Sequence, residues 1–117
     1  MSEMLLIFKA SVEKIGFWNM ILVIGGYAQG KRRFCEERFP GRDLFVLDGS
    51  ATNEDIDGFM SDSPDGIVIS DEIGCGVVPI EKRDRELVER VGRMQIETAK
   101  RSDEVWRVVC GQGTRIK

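Results

Sequence analysis

Residues 20–31 read MILVIGGYAQGK, and this stretch decides the first strand and turn of the fold. Residues 21–24 form a short, continuous apolar run, which is typical of a parallel strand that is buried on both faces. Gly25 and Gly26 follow directly and let the backbone turn through conformations that a Cβ would forbid. The stretch therefore predicts a buried strand that ends in a tight, glycine-rich turn.

The glycine-rich turn has the spacing of a phosphate-binding loop. From Gly25 to Lys31 it reads Gly-x-x-x-x-Gly-Lys, the Walker A pattern in all but its last position. Successive backbone N–H groups and the positive end of the next helix form an anion cradle, and Lys31 is placed to reach the β- and γ-phosphates. Arg32 replaces the Ser or Thr that ligates magnesium, and a guanidinium has no acceptor to offer a cation. We predict nucleotide binding by Gly25, Gly26, Tyr27, Ala28, Gln29, Gly30, Lys31 and Arg32. A glycine-rich turn without a ligand is the alternative.

Composition and charge limit the classes of function. The chain has 117 residues, of which 42% are apolar and 32% charged, as expected for one soluble domain with a modest core. The net charge of −3 argues against a nucleic-acid partner. No histidine is present, which excludes a His-based triad, a His metal site and a phosphohistidine in this chain. The three cysteines form no C-x-x-C pair, so we expect reduced thiols and a cytoplasmic location rather than zinc or disulfides.

Residues 1–19 are expected to form an N-terminal extension to a single domain at residues 20–117. A phosphate-loop strand normally begins close to the N-terminus, and Met20 is a natural start. The apolar run at residues 4–8 is too short for a signal sequence, and no stretch reaches the ~20 apolar residues of a membrane span. The alternative is a short strand or helix within residues 5–17 that packs on the domain.

Alternating strands and helices predict the fold class. We expect strands at residues 21–24, 44–47, 67–69, 105–109 and 114–116, and helices at residues 32–39, 54–60 and 80–101. This order favours an α/β fold, a P-loop NTPase-like, mostly parallel sheet with helices on both faces. The carboxyl ends of such strands share one edge, where ligands bind.

Acidic residues follow two of the predicted strands at this edge. Asp48 follows residues 44–47, and Asp71 and Glu72 follow the third strand. Because magnesium prefers oxygen ligands, we predict Asp48 and Glu72 as metal ligands, with Asp71 the weaker candidate. Glu72 is also the predicted base for a hydroxyl nucleophile. Acids that cap helices or lie in loops are the alternative.

The long helix combines an apolar stripe with a charged surface. We expect its core positions to be Leu87, Val88, Val91, Met94 and Ile96. We expect residues 81–90 to form a solvated face with i,i+4 pairs such as Glu81–Arg85 and Glu86–Arg90. Cys35 and Cys75 are expected to be incidental, because no histidine is present to activate a thiol.

Two blocks of the chain resemble a family of cobalamin biosynthesis, the bifunctional adenosylcobinamide kinase / adenosylcobinamide-phosphate guanylyltransferases. ILVIGGYAQGK at residues 21–31 is similar to that family's opening strand and GG-x-x-x-GKS loop. ISDEIGCGVVP at residues 69–79 is similar to its NE-x-G-x-G-[IV]-VP segment. Gly92-Arg93 and DEVWRVVCGQGTRIK at residues 103–117 resemble its helix Gly-Arg pair and its DEV-led terminal strand.

The resemblance implies a reaction, its cofactor and its partners. It implies ATP or GTP with magnesium, a corrinoid (cobinamide) hydroxyl as phosphate acceptor, and a homo-oligomer. Lys31 and Glu72 are then the catalytic residues. The residues that resemble substrate-binding positions are Gly74, Gly76, Pro79, Arg85 and Arg93.

Three departures from the family limit this interpretation. Arg32 replaces the loop serine, the segment between the two blocks is much shorter than in the family, and no histidine is available for guanylylation. We therefore expect a phosphotransferase like adenosylcobinamide kinase without guanylyltransferase activity. A non-catalytic nucleotide-binding paralogue, acting as a regulatory or interaction subunit, is the alternative, and a small NTPase or kinase with an unrelated substrate is a third. No base-reading motif is visible, so the sequence leaves ATP and GTP as alternatives.

Overall fold

A five-stranded sheet organises the part of the chain that the computed structural model describes, residues 19–72 and 81–117. The strands are Ile21–Gly25 (β1), Leu44–Leu47 (β2), Ile67–Asp71 (β3), Glu104–Val109 (β4) and Gln112–Arg115 (β5). The helices are Lys31–Arg38 (α1), Asn53–Asp62 (α2) and Lys82–Arg101 (α3). The strand order is β2-β3-β1-β4-β5, with β5 antiparallel to β4 and the other pairs parallel. The predicted α/β fold with a mostly parallel sheet is confirmed.

Helices cover both faces of the sheet, and β1 shows why its sequence is continuously apolar. Ile21 and Val23 belong to a buried cluster that includes Cys35 of α1. Leu22 belongs to a second cluster, on the other face, that includes Ile56 of α2 and Val91 of α3. In a strand that is buried on both faces, most positions carry apolar side chains.

The buried face of α3 differs from the predicted stripe. Val91 and Met94 are buried as expected, but Leu87 is 40% exposed and Ile96 is 58% exposed, so these two predicted core positions are wrong. The buried position on the next turn is Thr98, whose hydroxyl donates to the Met94 carbonyl at 2.7 Å. Because that hydroxyl is satisfied within the helix, a polar residue can occupy the core there.

Arg90 also departs from the predicted solvated pairs. Its guanidinium donates to the carbonyl of Ala51 at 3.1 Å and to that of Gly49, so it joins α3 to the segment after β2. Glu86, its expected partner, lies 3.9 Å from Lys82 instead. The predicted Glu86–Arg90 pair is therefore wrong, since the backbone carbonyls provide Arg90 with fixed acceptors.

The turn between β4 and β5 is shorter than predicted. Cys110 and Gly111 both have positive φ, 51° and 74°, and together form a two-residue hairpin connection. Two consecutive positive values are the signature of a type I′ turn, whose twist matches the flanking strands. The last strand therefore begins at Gln112 rather than at residue 114.

We expect Cys110→Asn to raise the free energy of unfolding by about 0.5–1 kcal/mol, because Asn tolerates the left-handed region better than Cys. Cys110→Val is the matched control and should lower it by about 1 kcal/mol, since a β-branched residue is poorly suited to positive φ. Urea unfolding of the three proteins measures both changes. An Asn variant no more stable than the parent would contradict this account of the turn.

One contact concerns the predicted extension at the start of the chain. Of the predicted extension at residues 1–19, only Asn19 is described, and its amide donates to Glu104 at the start of β4. The boundary at residue 20 therefore stays a prediction.

In the two described segments, no helix has both the length and the apolar composition needed to cross a bilayer.

Candidate functional site at the carboxyl edge of the sheet

The predicted phosphate loop joins β1 to α1 at the carboxyl edge of the sheet. Gly25 ends β1, Gly30 is the N-cap of α1 with φ 83°, and Lys31 is the first residue of the helix. A Cβ on Gly25 would lie 2.5 Å from the carbonyl oxygen of Val108 on β4. Gly25 is thus required by the close approach of a neighbouring strand, and Gly30 by its positive φ.

Gln29 ties this loop to the β4–β5 turn. Its carbonyl accepts a hydrogen bond from the Gly111 N–H at 2.8 Å, and its side-chain Oε1 accepts one from the Cys110 N–H at 2.8 Å. Tyr27, near the middle of the loop, is exposed. The hairpin therefore helps to hold the loop conformation, a contact that the motif alone did not predict.

Lys31 is the buried cation of the site. Its Nζ donates to the Gly26 carbonyl at 2.7 Å and lies 2.7 Å from a carboxylate oxygen of Asp71, with the side chain only 9% exposed. Burying an ammonium group is costly unless it is paired and hydrogen-bonded, and both contacts meet that need. The charge of Lys31 is thereby held beside the loop backbone.

Asp71 and Glu72 have different partners. Asp71 ends β3 opposite Gly25 and contacts Lys31, whereas the Glu72 carboxylate lies 3.2 Å from Nε of Arg107 on β4. The Glu72 N–H donates to the Gly25 carbonyl at 2.7 Å, so the ladder contact continues past the end of β3. Both acids lie at the edge that the sequence predicted, whereas their ion-pair partners could not be predicted from the sequence. The catalytic role of Glu72 stays a prediction.

Gln95 of α3 braces the end of β3. Its Nε2 donates to the Ser70 hydroxyl and to the Asp71 carbonyl, each at 2.6 Å. The buried Ser70 hydroxyl in turn donates to the Leu47 carbonyl on β2 at 2.8 Å. This network fixes the backbone that carries Asp71, and sequence reasoning missed it because Gln95 has no motif around it.

Asp48 lies after β2, which β3 separates from β1. Its carboxylate accepts hydrogen bonds from the Ser50 N–H at 2.9 Å and from the Ser50 hydroxyl at 2.7 Å. These bonds favour the charged form and lower the pKa of Asp48 below its usual value. Asp48 thus provides a fixed, ionised carboxylate at the outer part of the same edge.

Two cavities lie at or near the carboxyl edge of the sheet. The larger, of about 300 Å³, lies among the ends of β2 and β3 and α3, and its lining includes Asp48, Asp71, Leu87, Val88 and Val91. The smaller, of about 260 Å³, lies on the β4–β5 side and is lined by Gly30, Arg33, Phe34, Glu37 and Gly111. The smaller cavity thus adjoins the loop at Gly30, and the larger one is related to the loop through Asp71, the ion-pair partner of Lys31.

The remaining predicted residues are placed as follows. Arg32 is exposed on α1, and Arg85 and Arg93 are exposed on α3. The predicted positions Gly74, Gly76 and Pro79, with Cys75, lie outside the described residues. Burial raises the pKa of Cys35 to about 11, so this thiol is protonated at neutral pH and unsuited to nucleophilic attack.

Residues 49–116 match the protein family described as cobinamide kinase / cobinamide phosphate guanyltransferase. The chain belongs to this family. The resemblance read from the sequence is therefore confirmed, and with it a place in a family of cobalamin biosynthesis. The matched range contains β3, α3 and the β4–β5 hairpin, whereas the loop at residues 25–31 precedes it.

Two curated relatives of the cobinamide kinase family align with part of the chain. Both are named bifunctional adenosylcobalamin biosynthesis protein CobU. The one from Salmonella typhimurium is 37% identical over 51 residues, and the one from Escherichia coli is 35% identical over 51 residues. Each alignment covers 44% of this chain but only 28% of the relative. The chain thus matches less than a third of the length of these relatives.

Proposed function

We propose that this chain is a nucleotide-dependent phosphotransferase of the cobinamide kinase type, using ATP or GTP with magnesium. The observation that carries the proposal is the buried Nζ of Lys31, which lies beside the loop backbone and is paired with Asp71, a residue that lines a cavity at the carboxyl edge. Phosphoryl transfer depends mainly on positioning and on electrostatic stabilisation of phosphate oxygens. A loop, a lysine and an adjoining acceptor cavity are the minimal parts for that chemistry.

The two cavities suggest where the nucleoside and the phosphate acceptor bind in the proposed site. In an in-line transfer, the acceptor oxygen and the leaving oxygen lie on opposite sides of the transferred phosphorus. We assign the nucleoside to the cavity beside Gly30 and Gly111, and the acceptor to the cavity beside Asp48 and Asp71. The loop N–H groups and Lys31 then bind the phosphates between them.

The acceptor cavity suits a side arm rather than a macrocycle. Its volume of about 300 Å³ is at the lower end for small-molecule sites. Leu87, Val88 and Val91 offer apolar walls, and the Asp48 carboxylate is available to accept a proton from a hydroxyl or to bind magnesium. A corrinoid would thus place its hydroxyl-bearing arm inside the cavity and its ring outside.

Magnesium, when bound, would neutralise charge on the phosphates. The oxygen donors at this edge, in Asp48, Asp71 and Glu72, are the type that magnesium prefers. Among the described residues, no group of three or more Asp, Glu, His or Cys side chains is arranged to hold a metal. The donor set fits an ion that is bound by one carboxylate together with nucleotide phosphates.

Guanylyl transfer through a histidine of this chain is excluded from the proposal, because none of its 117 residues is histidine. We also propose a cytoplasmic location and no nucleic-acid partner, from three widely spaced cysteines that form no C-x-x-C pair and from the net charge of −3. A homo-oligomer is proposed on the family resemblance alone.

A non-catalytic nucleotide-binding paralogue is the second candidate, and Arg32 is the observation that favours it. Incubation with γ-labelled ATP or GTP, magnesium and cobinamide distinguishes the two functions. Label on the corrinoid supports the kinase. Saturable nucleotide binding without transfer or hydrolysis supports the paralogue.

Arg32→Ser should change nucleotide binding in two ways. Metal-free affinity should fall about three- to tenfold, because a cation beside the phosphates is lost. The gain from magnesium should increase, because a hydroxyl at this position can ligate the ion. Calorimetric titrations in EDTA and in magnesium measure both effects. If neither affinity changes, Arg32 contacts neither the phosphates nor the region of the metal.

A further inference from the structure

The structure assigns Gln29 as a positioning residue, through which the β4–β5 hairpin holds the phosphate loop in its nucleotide-binding conformation. The inference rests on the proposed function, because it requires a nucleotide at the loop. It goes beyond that function in making nucleotide affinity depend on a hairpin that contributes no residue to the loop motif.

The loop backbone on both sides of Gln29 has a conformation that needs support. Ala28 has a φ of 57° and Gly30 a φ of 83°, so both neighbours of Gln29 lie in the left-handed region. Glycine adopts this region readily, whereas the Cβ of alanine makes it unfavourable. Such a backbone persists when contacts from outside the loop fix it.

Gln29 makes two such contacts, and both are with the hairpin turn. Its carbonyl accepts the Gly111 N–H at 2.8 Å, and its side-chain Oε1 accepts the Cys110 N–H at 2.8 Å. The hairpin is anchored in turn by the antiparallel pairing of β5 with β4. One loop residue is therefore fixed at its backbone and at its side chain by a neighbouring element of the sheet.

Close packing joins the hairpin to the loop and to α1. A Cβ on Gly30 would lie 3.4 Å from the Cα of Gly111, so the two backbones are near van der Waals contact. A Cβ on Gly113 of β5 would overlap the ring of Phe34 on α1. Because so little space separates these elements, a displaced hairpin would carry the loop and the start of α1 with it.

The consequence for binding follows from preorganisation. A loop that already has its bound conformation loses less conformational freedom when a ligand binds, and its affinity is higher for that reason. The loop N–H groups bind phosphate only when the backbone directs them at the ligand. Coupling of this kind is reciprocal, so a bound nucleotide must stabilise the contacts of Gln29 with the hairpin to the same extent.

Calorimetric titration of ATP and GTP with magnesium, into folded parent and variant proteins, tests the inference. Gln29→Met keeps the length of the side chain but removes its acceptor. Affinity should fall about two- to tenfold, the range for one ordinary hydrogen bond. Gly113→Ala should also weaken binding, although Gly113 lies on β5 and outside the loop motif.

Thr52→Ala is the matched control for a general loss of stability. Thr52 is the N-cap of α2, and its hydroxyl accepts the Asp55 N–H at 3.1 Å. Loss of this cap should lower the urea midpoint as Gln29→Met does. Nucleotide affinity should nevertheless stay within about twofold of the parent, because the cap does not contact the loop.

Amide hydrogen exchange provides a second readout, which a merely stabilising residue would not change. In the parent, nucleotide should slow exchange at the N–H groups of Cys110 and Gly111, since both donate to Gln29. In Gln29→Met, the slowing at Cys110 should be lost. Two-dimensional NMR of each protein with and without nucleotide measures these rates.

The outcomes separate this inference from the proposed function. A parent protein that binds neither nucleotide overturns both. If the parent binds and either Gln29→Met or Gly113→Ala binds as tightly, the inference alone is overturned. Equal weakening by Thr52→Ala would trace the effect to general stability, and unchanged exchange at Cys110 in the nucleotide-bound parent would show that no coupling exists; each result overturns the inference.

Discussion

Lys31→Met should weaken ATP and GTP binding by about 100-fold, because each charge-assisted hydrogen bond to a phosphate contributes about 1.5–3 kcal/mol. The methionine keeps the apolar stem that packs beneath the loop, so the fold should persist. Asp71 loses its partner, but it is exposed enough to be solvated by water. The measurement is calorimetric titration of each nucleotide with magnesium.

Lys100→Met is the control for this substitution. Lys100 lies in the last turn of α3, is 68% exposed and pairs with Glu97 at 3.3 Å. The Lys100→Met substitution removes the same charge at a position away from the loop. Nucleotide affinity should therefore stay within about twofold of the parent. If Lys31→Met bound nucleotide as well as Lys100→Met does, the loop would not be a phosphate site.

Gly25→Ala should lower the free energy of unfolding by about 2–3 kcal/mol, in the upper range for overpacked sites. The new Cβ would lie 2.5 Å from the Val108 carbonyl oxygen and 3.2 Å from the Lys31 side chain. A backbone carbonyl within the β1–β4 ladder cannot move aside without breaking strand contacts. Urea unfolding measures the loss, and nucleotide binding should fall with it.

Gly58→Ala provides the opposite expectation. Gly58 lies within α2, and a Cβ there would meet nothing within 4 Å. Alanine forms helices better than glycine does, so the free energy of unfolding of this variant should rise by about 0.5–1 kcal/mol. Equal effects at the two glycines would show that strand packing at Gly25 is not the cause of the loss.

Gly25→Ala and Lys31→Met together distinguish the residue that maintains the loop backbone from the residue that binds phosphate. Gly25→Ala should reduce stability and binding together, because it displaces the backbone that forms the loop. Lys31→Met should reduce binding alone, because the loop retains its backbone. A variant series that failed to separate these two effects would mean that Lys31 acts mainly in packing.

Local patterns in the sequence determined the elements and the candidate edge. The strand predicted at residues 44–47 is β2 itself, and the strand and helix predicted at residues 21–24 and 32–39 lie within one residue of β1 and α1 at each end. Both patterns record local requirements, namely burial on two faces and a backbone without a Cβ. The family resemblance was likewise readable, since residues 49–116 carry it.

Tertiary structure alone decided which side chains meet. Lys31 and Asp71 are forty positions apart and come together because β3 lies beside β1 in the sheet. Arg90 leaves its expected pair with Glu86 because the carbonyls after β2 lie against α3, and Gln95 braces β3 for the same reason. Strand order sets these contacts. Strand order depends on how the strands and helices pack together, whereas periodicity and spacing reflect only the local requirements of each segment.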